Sequence, residues 1–270
     1  MIMYKVKGTI KYIFLSIAAF VSIFPFVWMV IGATNSAKDI IVGKMTPGTE
    51  FLNNFKKLLE MTDLGRVLWN SAKISIISTL LLLFISSFAG YGFEIYKSKI
   101  KDKFYSVILL TMMVPFAALM IPLFKFFTKM GLLDSHIAVI LPTVATAFMI
   151  FFFRQNTKSF PKELIQAARV DGLNEWQIFF YIYVPTMKST YAAAGIIAFM
   201  TSWNNFLWPL IILQSDKQKT ITLVISSLSS AYFPEYGVIM MAIVIATLPT
   251  LLIFFLLQKS FVEGMLGSVK

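Results

Sequence analysis

Six long apolar stretches that carry almost no charge constrain the fold of this chain more than any other feature of its sequence. A helix needs about 20 apolar residues to cross the hydrocarbon core of a bilayer, where backbone polar groups find no water to bond. The stretches lie at about 12–34, 72–95, 104–127, 137–153, 189–213 and 236–258. The sequence therefore predicts an all-α membrane protein with about six transmembrane helices, forming a single domain over residues 1–270.

The composition supports a membrane location and excludes several other classes of protein. Hydrophobic residues make up 58% of the chain and charged residues only 14%, whereas a soluble domain carries roughly 25% charged residues. The net charge of +11 does not indicate nucleic acid as a partner, because the lysines flank the apolar stretches. The chain has no cysteine, which excludes disulfides and thiol-based metal or nucleophilic sites.

The distribution of basic residues predicts the orientation in the membrane. With both termini in the cytoplasm, 14 of the 24 basic residues fall on inner segments. These are Lys5, Lys7, Lys11, Lys97, Lys99, Lys101, Lys103, Arg154, Lys158, Lys162, Arg169, Lys188, Lys259 and Lys270. The bias is strongest in the short loop 96–103, which holds four lysines and one aspartate, and short loops weigh most in the positive-inside rule. We therefore expect both termini to be cytoplasmic.

The apolar stretches contain no ionisable residue at mid-depth, since Lys73, Glu94 and Lys125 lie at their predicted ends. Proton- or sodium-coupled carriers usually place such a residue there. The single histidine, His136, is expected to be a solvated loop residue rather than a ligand or base. The phosphate-loop pattern G-x-x-x-x-G-K-[ST] does not occur, so an ATPase that drives transport would be a separate chain. We expect no catalytic and no metal-binding residue.

The inner loop 154–188 is the most informative part outside the apolar stretches. Ser159 and Pro161 are helix-start signals, and Gly172 suits the end of that helix. Asn174 with Gln177 resembles a capping box for a second helix, which we expect Pro185 to limit. Helical spacing places four residues on one face, where a pair of alanines would let a partner approach closely. They are Leu164, Ala167, Ala168 and Asp171.

This loop resembles the E-A-A-x-x-x-G loop of bacterial ABC importer permeases. Residues 166–172 read Q-A-A-R-V-D-G, and the loop ends in Y-V-P at residues 183–185. Further segments are similar to the carbohydrate-uptake branch of that family, and the whole chain looks like its second, maltose-type permease subunit. These segments are Pro25–Met29, Ala89–Tyr91, Ile121–Phe124, Gly131–Asp134, Trp203–Pro209 and Gln258–Gly264.

The resemblance implies a set of partners and a bacterial inner-membrane location. The loop would be a coupling helix seated on a cytoplasmic ATPase dimer, which binds ATP and magnesium, so this chain itself needs no cofactor. A second permease subunit would complete the pore as a heterodimer, and an extracellular or periplasmic binding protein would deliver the sugar. The coupling residues so implied are Glu163, Gln166, Ala167, Ala168, Asp171, Gly172 and Pro185. Gln166 departs from the family pattern, which has an acid there.

The contacts to the solute are less clearly marked in the sequence. Sugars form hydrogen bonds along their rims and stack on aromatic rings, which makes Trp203, Asn204, Asn205 and Trp208 candidates. Packing and interfacial anchoring explain these residues equally well. A permease for a non-sugar solute, a secondary carrier or channel, and a membrane scaffold remain as alternatives, although the last two have no need of a coupling loop.

Overall fold

The computed structural model describes the backbone of residues 2–265 and the side chains of residues 11–259. Lys5, Lys7 and Lys270, which enter the orientation prediction, have side chains outside these described residues. Over the described backbone the chain is helical, with no strand, which confirms the all-α prediction. Its α-helices are α1 Ile2–Ala33, α2 Ala37–Ile41, α3 Phe51–Met61, α4 Leu64–Ile95, α5 Lys99–Thr111, α6 Phe116–Lys129, α7 His136–Ile140, α8 Ala147–Thr157, α9 Lys162–Val170, α10 Glu175–Gln177, α11 Val184–Thr186, α12 Lys188–Trp203, α13 Leu207–Ile212, α14 Ile221–Ser229 and α15 Tyr236–Met265.

Within the described residues, four helical segments are long and apolar enough to cross a membrane on their own. They are Lys11–Ala33, Leu64–Ile95, Lys188–Ile212 and Tyr236–Lys259. Two further pairs of helices meet the same criteria only when both members of each pair are taken together. The number of candidate spans is thus four, or six when each bent pair counts as one span.

The stretch predicted as one span at 104–127 is divided into α5 and α6, whose axes differ by 96°. Pro115 explains the break, because it has no backbone N–H and its ring disfavours helical geometry at the preceding residue. Its own backbone is extended, with φ −66° and ψ 136°. The predicted stretch is therefore a bent pair of helices, which counts as one candidate span only when both members are taken together.

The stretch predicted at 137–153 bends by 43° between α7 and α8. A short 3-10 turn, Leu141–Thr143, contains Pro142 at the bend. The Thr146 side chain then begins α8 by accepting a hydrogen bond from the Met149 amide at 3.3 Å. Proline does not always have this effect in the chain, because Pro25 and Pro249 lie inside helices that continue through them.

The chain divides into two compact units, and the first contains the residues up to Gly65 together with Val224–Leu248. The segment after α1 contains α2 and α3. Two buried asparagines fasten this segment, since Asn54 Nδ2 donates to the carbonyl oxygens of Ala33 and Asn35 at 2.9 and 3.0 Å.

The second unit contains Arg66–Leu223 and the chain from Pro249 onward. Its helices α4 and α8 approach closely at Gly90. A Cβ atom at that position would lie 2.7 Å from Phe153 Cβ and 2.8 Å from the Arg154 amide nitrogen. Small residues permit such approaches between membrane helices, whose association depends on van der Waals packing.

Replacing Gly90 should therefore separate α4 from α8. We expect Gly90→Ala to lower the Tm of the detergent-purified chain. The corresponding loss in the free energy of unfolding should be about 1–3 kcal/mol, as is typical of overpacking. The matched control is Gly92→Ala, on the same helix, where nothing lies within 4 Å of the added Cβ. Equal Tm values for the two variants would contradict the close packing at Gly90.

Candidate functional site

The inner loop has the helix–glycine–helix form that the sequence predicts. Helix α9 begins after Pro161, and Gly172 follows it with a φ of +82°, which is accessible to glycine at little cost. Asn174 Oδ1 accepts a hydrogen bond from the Gln177 amide at 3.0 Å, and Gln177 Oε1 accepts one from the Asn174 amide at 2.9 Å. This reciprocal pair confirms the predicted capping box.

The second helix does not end at Pro185 as predicted. After α10, the segment Ile178–Tyr183 is a π-helix, and the chain continues helically through α11 to a turn at Met187. In the π-helix the Val184 amide bonds to the Phe179 carbonyl five residues earlier. The wide turn shifts the bonding pattern just before Pro185, which has no N–H to contribute.

Helix α9 has one buried and one exposed face. Ile165 and Ala168 are buried and pack among aromatic and aliphatic side chains of the following helix, including Phe179 and Tyr183. On the opposite side, Val170 is 88% exposed. Other exposed side chains of the loop are Glu163, Leu164, Gln166, Ala167 and Asp171.

This division corrects the expectation that Ala167 and Ala168 share the outward face. Successive side chains on a helix point about 100° apart, so positions three apart share a face and neighbours do not. Ala168 follows Ile165 by three positions and is only 5% exposed. Ala167 instead follows Leu164 by three, on the exposed face.

An ion pair and a tyrosine fasten the loop that contains α9 to the C-terminal end of α4. Arg169 Nε lies 2.9 Å from Glu175 Oε1, and the Tyr96 hydroxyl donates a hydrogen bond to Glu175 Oε2. Burial raises the pKa of Glu175, but the hydrogen bonds from Tyr96 and Arg169 and the arginine charge outweigh this, so its pKa is below the usual value. The carboxylate is therefore ionised at neutral pH.

A buried charge cluster lies where α4, α5 and α8 meet. Arg154 is buried, with Nη2 2.5 Å from Asp102 Oδ1, Nε 3.5 Å from Glu94 Oε2 and its guanidinium 3.9 Å from the centre of the Tyr105 ring. Glu94 is also buried and pairs with Lys97 Nζ at 2.7 Å. Removing one partner of a buried pair costs about 3–5 kcal/mol. From the sequence, Arg154 was expected only to be an inner basic residue, and this role was not predicted.

The two tryptophans considered as sugar contacts pack inside the protein. Trp208 is fully buried and donates from Nε1 to the Ala138 carbonyl at 3.0 Å. Trp203 is buried as well and stacks on Phe199, with ring centres 5.7 Å apart. Neither tryptophan therefore offers an open ring face to a solute.

The two asparagines considered with them have different surroundings. Asn204 is exposed, and its Nδ2 donates to the Met200 carbonyl of its own helix at 2.9 Å. Asn205 instead lines a cavity of about 270 Å³ beside the bend between α7 and α8. Six of its eleven lining residues carry a hydroxyl or amide, and none is charged. The lining is Ser78, Leu82, Thr143, Thr146, Phe148, Met149, Ile197, Ala198, Thr201, Ser202 and Asn205.

One edge of the second unit is held by two side chains, His136 and Asp134. His136 is buried, contrary to expectation, with Nε2 3.0 Å from the Gln218 carbonyl oxygen. Asp134 accepts hydrogen bonds from the Gln214 and Ser215 amides at 2.9 and 3.0 Å. Burial raises the pKa of Asp134, but these bonds outweigh it and leave the pKa below its usual value. The described residues contain no group of three acids or histidines that could hold a metal ion.

Comparison with other proteins places these features in a family. Residues 83–267 match the binding-protein-dependent transport system inner membrane component family. The chain is 61% identical to the lactose transport system permease protein LacG of Rhizobium radiobacter, over 98% of this chain and 97% of that one. It is 35% identical to the arabinooligosaccharides transport system permease protein AraQ of Bacillus subtilis, over 99% of this chain and 96% of the other.

A similar fold occurs in a crystal structure of a bacterial ABC transporter that imports the acidic polysaccharide alginate. The TM-score is 0.82 at 20% identity, covering 95% of this chain and 97% of that chain. The family match includes the loop that contains α9. The chain belongs to the family of binding-protein-dependent transport system inner membrane components.

Proposed function

We propose that this chain is the permease subunit of an ATP-driven importer whose solute is a small neutral sugar. The observation that carries the proposal is its 61% identity, over nearly its full length, to a permease of a lactose transport system. Translocation through this subunit would use the cavity beside the α7–α8 bend, whose lining includes serine, threonine and asparagine and no charged residue.

The lining of that cavity favours a neutral solute, because its surface is mainly apolar, with six hydroxyl- or amide-bearing residues and no charged one. Hydroxyl and amide groups both donate and accept hydrogen bonds, which suits the rim of a sugar. A phosphorylated or otherwise charged solute would need a counter-charge, because leaving a charge unpaired at membrane depth is costly. The cavity lining supplies none, so a sugar fits better than an anionic solute.

The exposed face of α9 supports a docking role for the coupling loop. Val170 and Leu164 are exposed apolar side chains on a short, otherwise polar segment, and a partner surface would cover them. In this proposal the partner is a cytoplasmic ATPase dimer, which binds ATP and magnesium. A second permease subunit completes the pore, and an extracellular or periplasmic binding protein delivers the sugar.

The orientation that this arrangement requires places the loop 96–103 and α9 in the cytoplasm of a bacterial cell, together with both termini. We expect a Lys99→Cys variant to react with a membrane-impermeant maleimide only after the cells are permeabilised. The outer control is Asp216→Cys, which should react in intact cells, because Asp216 is exposed and lies in a segment that this topology assigns to the outside. The chain has no other cysteine. Labelling of position 99 in intact cells would contradict the predicted orientation.

The solute cavity can be tested with two neighbouring asparagines. We expect Asn205→Leu to reduce lactose uptake by the reconstituted complex about tenfold, because a site that pairs sugar hydroxyls loses a donor and an acceptor at once. Asn204→Leu is the matched control, since Asn204 is exposed and bonds only within its helix. Equal uptake by both variants would exclude the cavity as the path, and uptake of glycerol 3-phosphate in preference to sugars would contradict the proposed solute.

Two neighbouring alanines test the docking face of α9. We expect Ala167→Trp to leave the Tm of the chain unchanged and to reduce ATPase co-purification, since the added ring obstructs the exposed face. Ala168→Trp should instead lower the Tm, because Ala168 is enclosed by the loop's own core. Overpacking of this kind typically lowers the free energy of unfolding by about 1–3 kcal/mol. Normal ATPase co-purification with Ala167→Trp would remove α9 as the docking surface.

A further inference from the structure

We propose that Tyr96 is a positioning residue that links the coupling helix α9 to the transmembrane helix α4. This inference rests on the proposed function. Tyr96 follows the last residue of α4 and lies in the three-residue connection, Tyr96–Ser98, that leads into α5. We name this connection the α4–α5 corner. It belongs to a different part of the sequence from the coupling loop, 79 residues before Glu175.

A chain of polar contacts joins α9 to the α4–α5 corner. The Tyr96 hydroxyl donates to one oxygen of Glu175, and the other oxygen of Glu175 receives the Nε proton of Arg169 at 2.9 Å. Arg169 is in the last turn of α9, whereas Glu175 begins α10 after the glycine turn. Glu175 therefore connects both arms of the coupling loop to the end of α4.

The ring of Tyr96 is held independently of its hydroxyl. Its centre lies 6.0 Å from that of Tyr91 in an edge-to-face arrangement, 5.1 Å from Lys101 Nζ and 5.8 Å from the Arg169 guanidinium. Removing the hydroxyl alone therefore leaves the ring in place. A cavity of about 270 Å³, lined in part by Tyr96, Glu175 and Trp176, lies beside the link and gives the glutamate side chain room to move.

A second fastening ties the same corner to the beginning of the coupling loop. Arg154, at the end of α8, pairs with Glu94 just before the corner and with Asp102 just after it. The α4–α5 corner is thus attached to the coupling loop at two places. Arg154 attaches it to the start of the loop, and Tyr96 attaches it to the helix–glycine–helix turn. A displacement of α9 would be passed to α4 and α5 together rather than absorbed within the loop.

The exposure of Arg169 and Glu175 indicates that the contact contributes to positioning rather than to folding stability. Arg169 and Glu175 are each nearly half exposed, and ion pairs in such positions contribute little to folding. The contact instead determines the orientation of one helix relative to another. Changing it should alter how ATP hydrolysis is converted into transport, while the protein remains folded and its exposed docking face stays intact.

The test measures sugar moved per ATP hydrolysed by the complete complex in vesicles, with lactose as the probe. We expect Tyr96→Phe and Glu175→Ala each to lower this ratio about threefold or more, a size typical of coupling between groups in contact. ATPase co-purification should be unchanged. The double variant should be no worse than the more severe single variant, because both substitutions remove the same contact. The control is Tyr181→Phe, which removes a hydroxyl from a 71% exposed side chain in the same loop.

An unchanged ratio in both single variants would overturn the inference. Additive losses in the double variant would also overturn it, as would a fall in ATPase co-purification that matches the fall in uptake, since the residue would then act on docking. If the unaltered complex moves lactose and the variants show the same ratio of sugar moved to ATP hydrolysed, the proposed function stands and this inference alone is rejected. An unaltered complex that moves no sugar overturns both.

Discussion

The absence of hydrogen-bonding partners in the hydrocarbon core is the constraint on which the rest of this structure depends. A helix satisfies its backbone groups internally, so the described apolar stretches are all helical. Where Pro115 and Pro142 prevent this, the chain bends sharply and the helices divide. The bend between α7 and α8 adjoins a mainly apolar cavity that hydroxyl and amide side chains line in part. An interruption that would be costly against lipid thus lies inside the protein.

Helix α4 connects the features that bear on function. It contributes Ser78 to the cavity, Gly90 to the close contact with α8, and Glu94 to the buried charge cluster. Tyr96, directly after its last turn, contacts the coupling loop. With a rise of 1.5 Å per residue, the 18 residues from Ser78 to Tyr96 span about 27 Å. One continuous helix therefore extends from the proposed solute path to the proposed ATPase contact, and a packed helix transmits displacement along its length better than a flexible linker.

The loop 154–188 combines a packed interior with an exposed face that carries both apolar and polar side chains. Ile165 and Ala168 hold α9 against the aromatic side chains of the π-helix, so its outward face is presented in one orientation. Gln166 is on the exposed side, where a neutral amide in place of an acid costs nothing in burial. The departure from the family pattern at this position therefore leaves the packing of the loop unaffected and changes only the charge offered to a partner.

The sequence by itself determined the features that depend on neighbouring residues. The apolar stretches predicted an all-helical chain, Gly172 predicted the turn after α9, and Asn174 with Gln177 predicted a capping box, because periodicity and capping act within a few positions. Tertiary structure decided which faces are buried. Ala168 points inward, Trp208 is enclosed, and Arg154 meets Glu94 and Asp102 from other helices. The cavity likewise combines residues from separate helices. Such contacts depend on the distances and angles between segments far apart in the chain, which local hydrogen bonding and side-chain periodicity leave open.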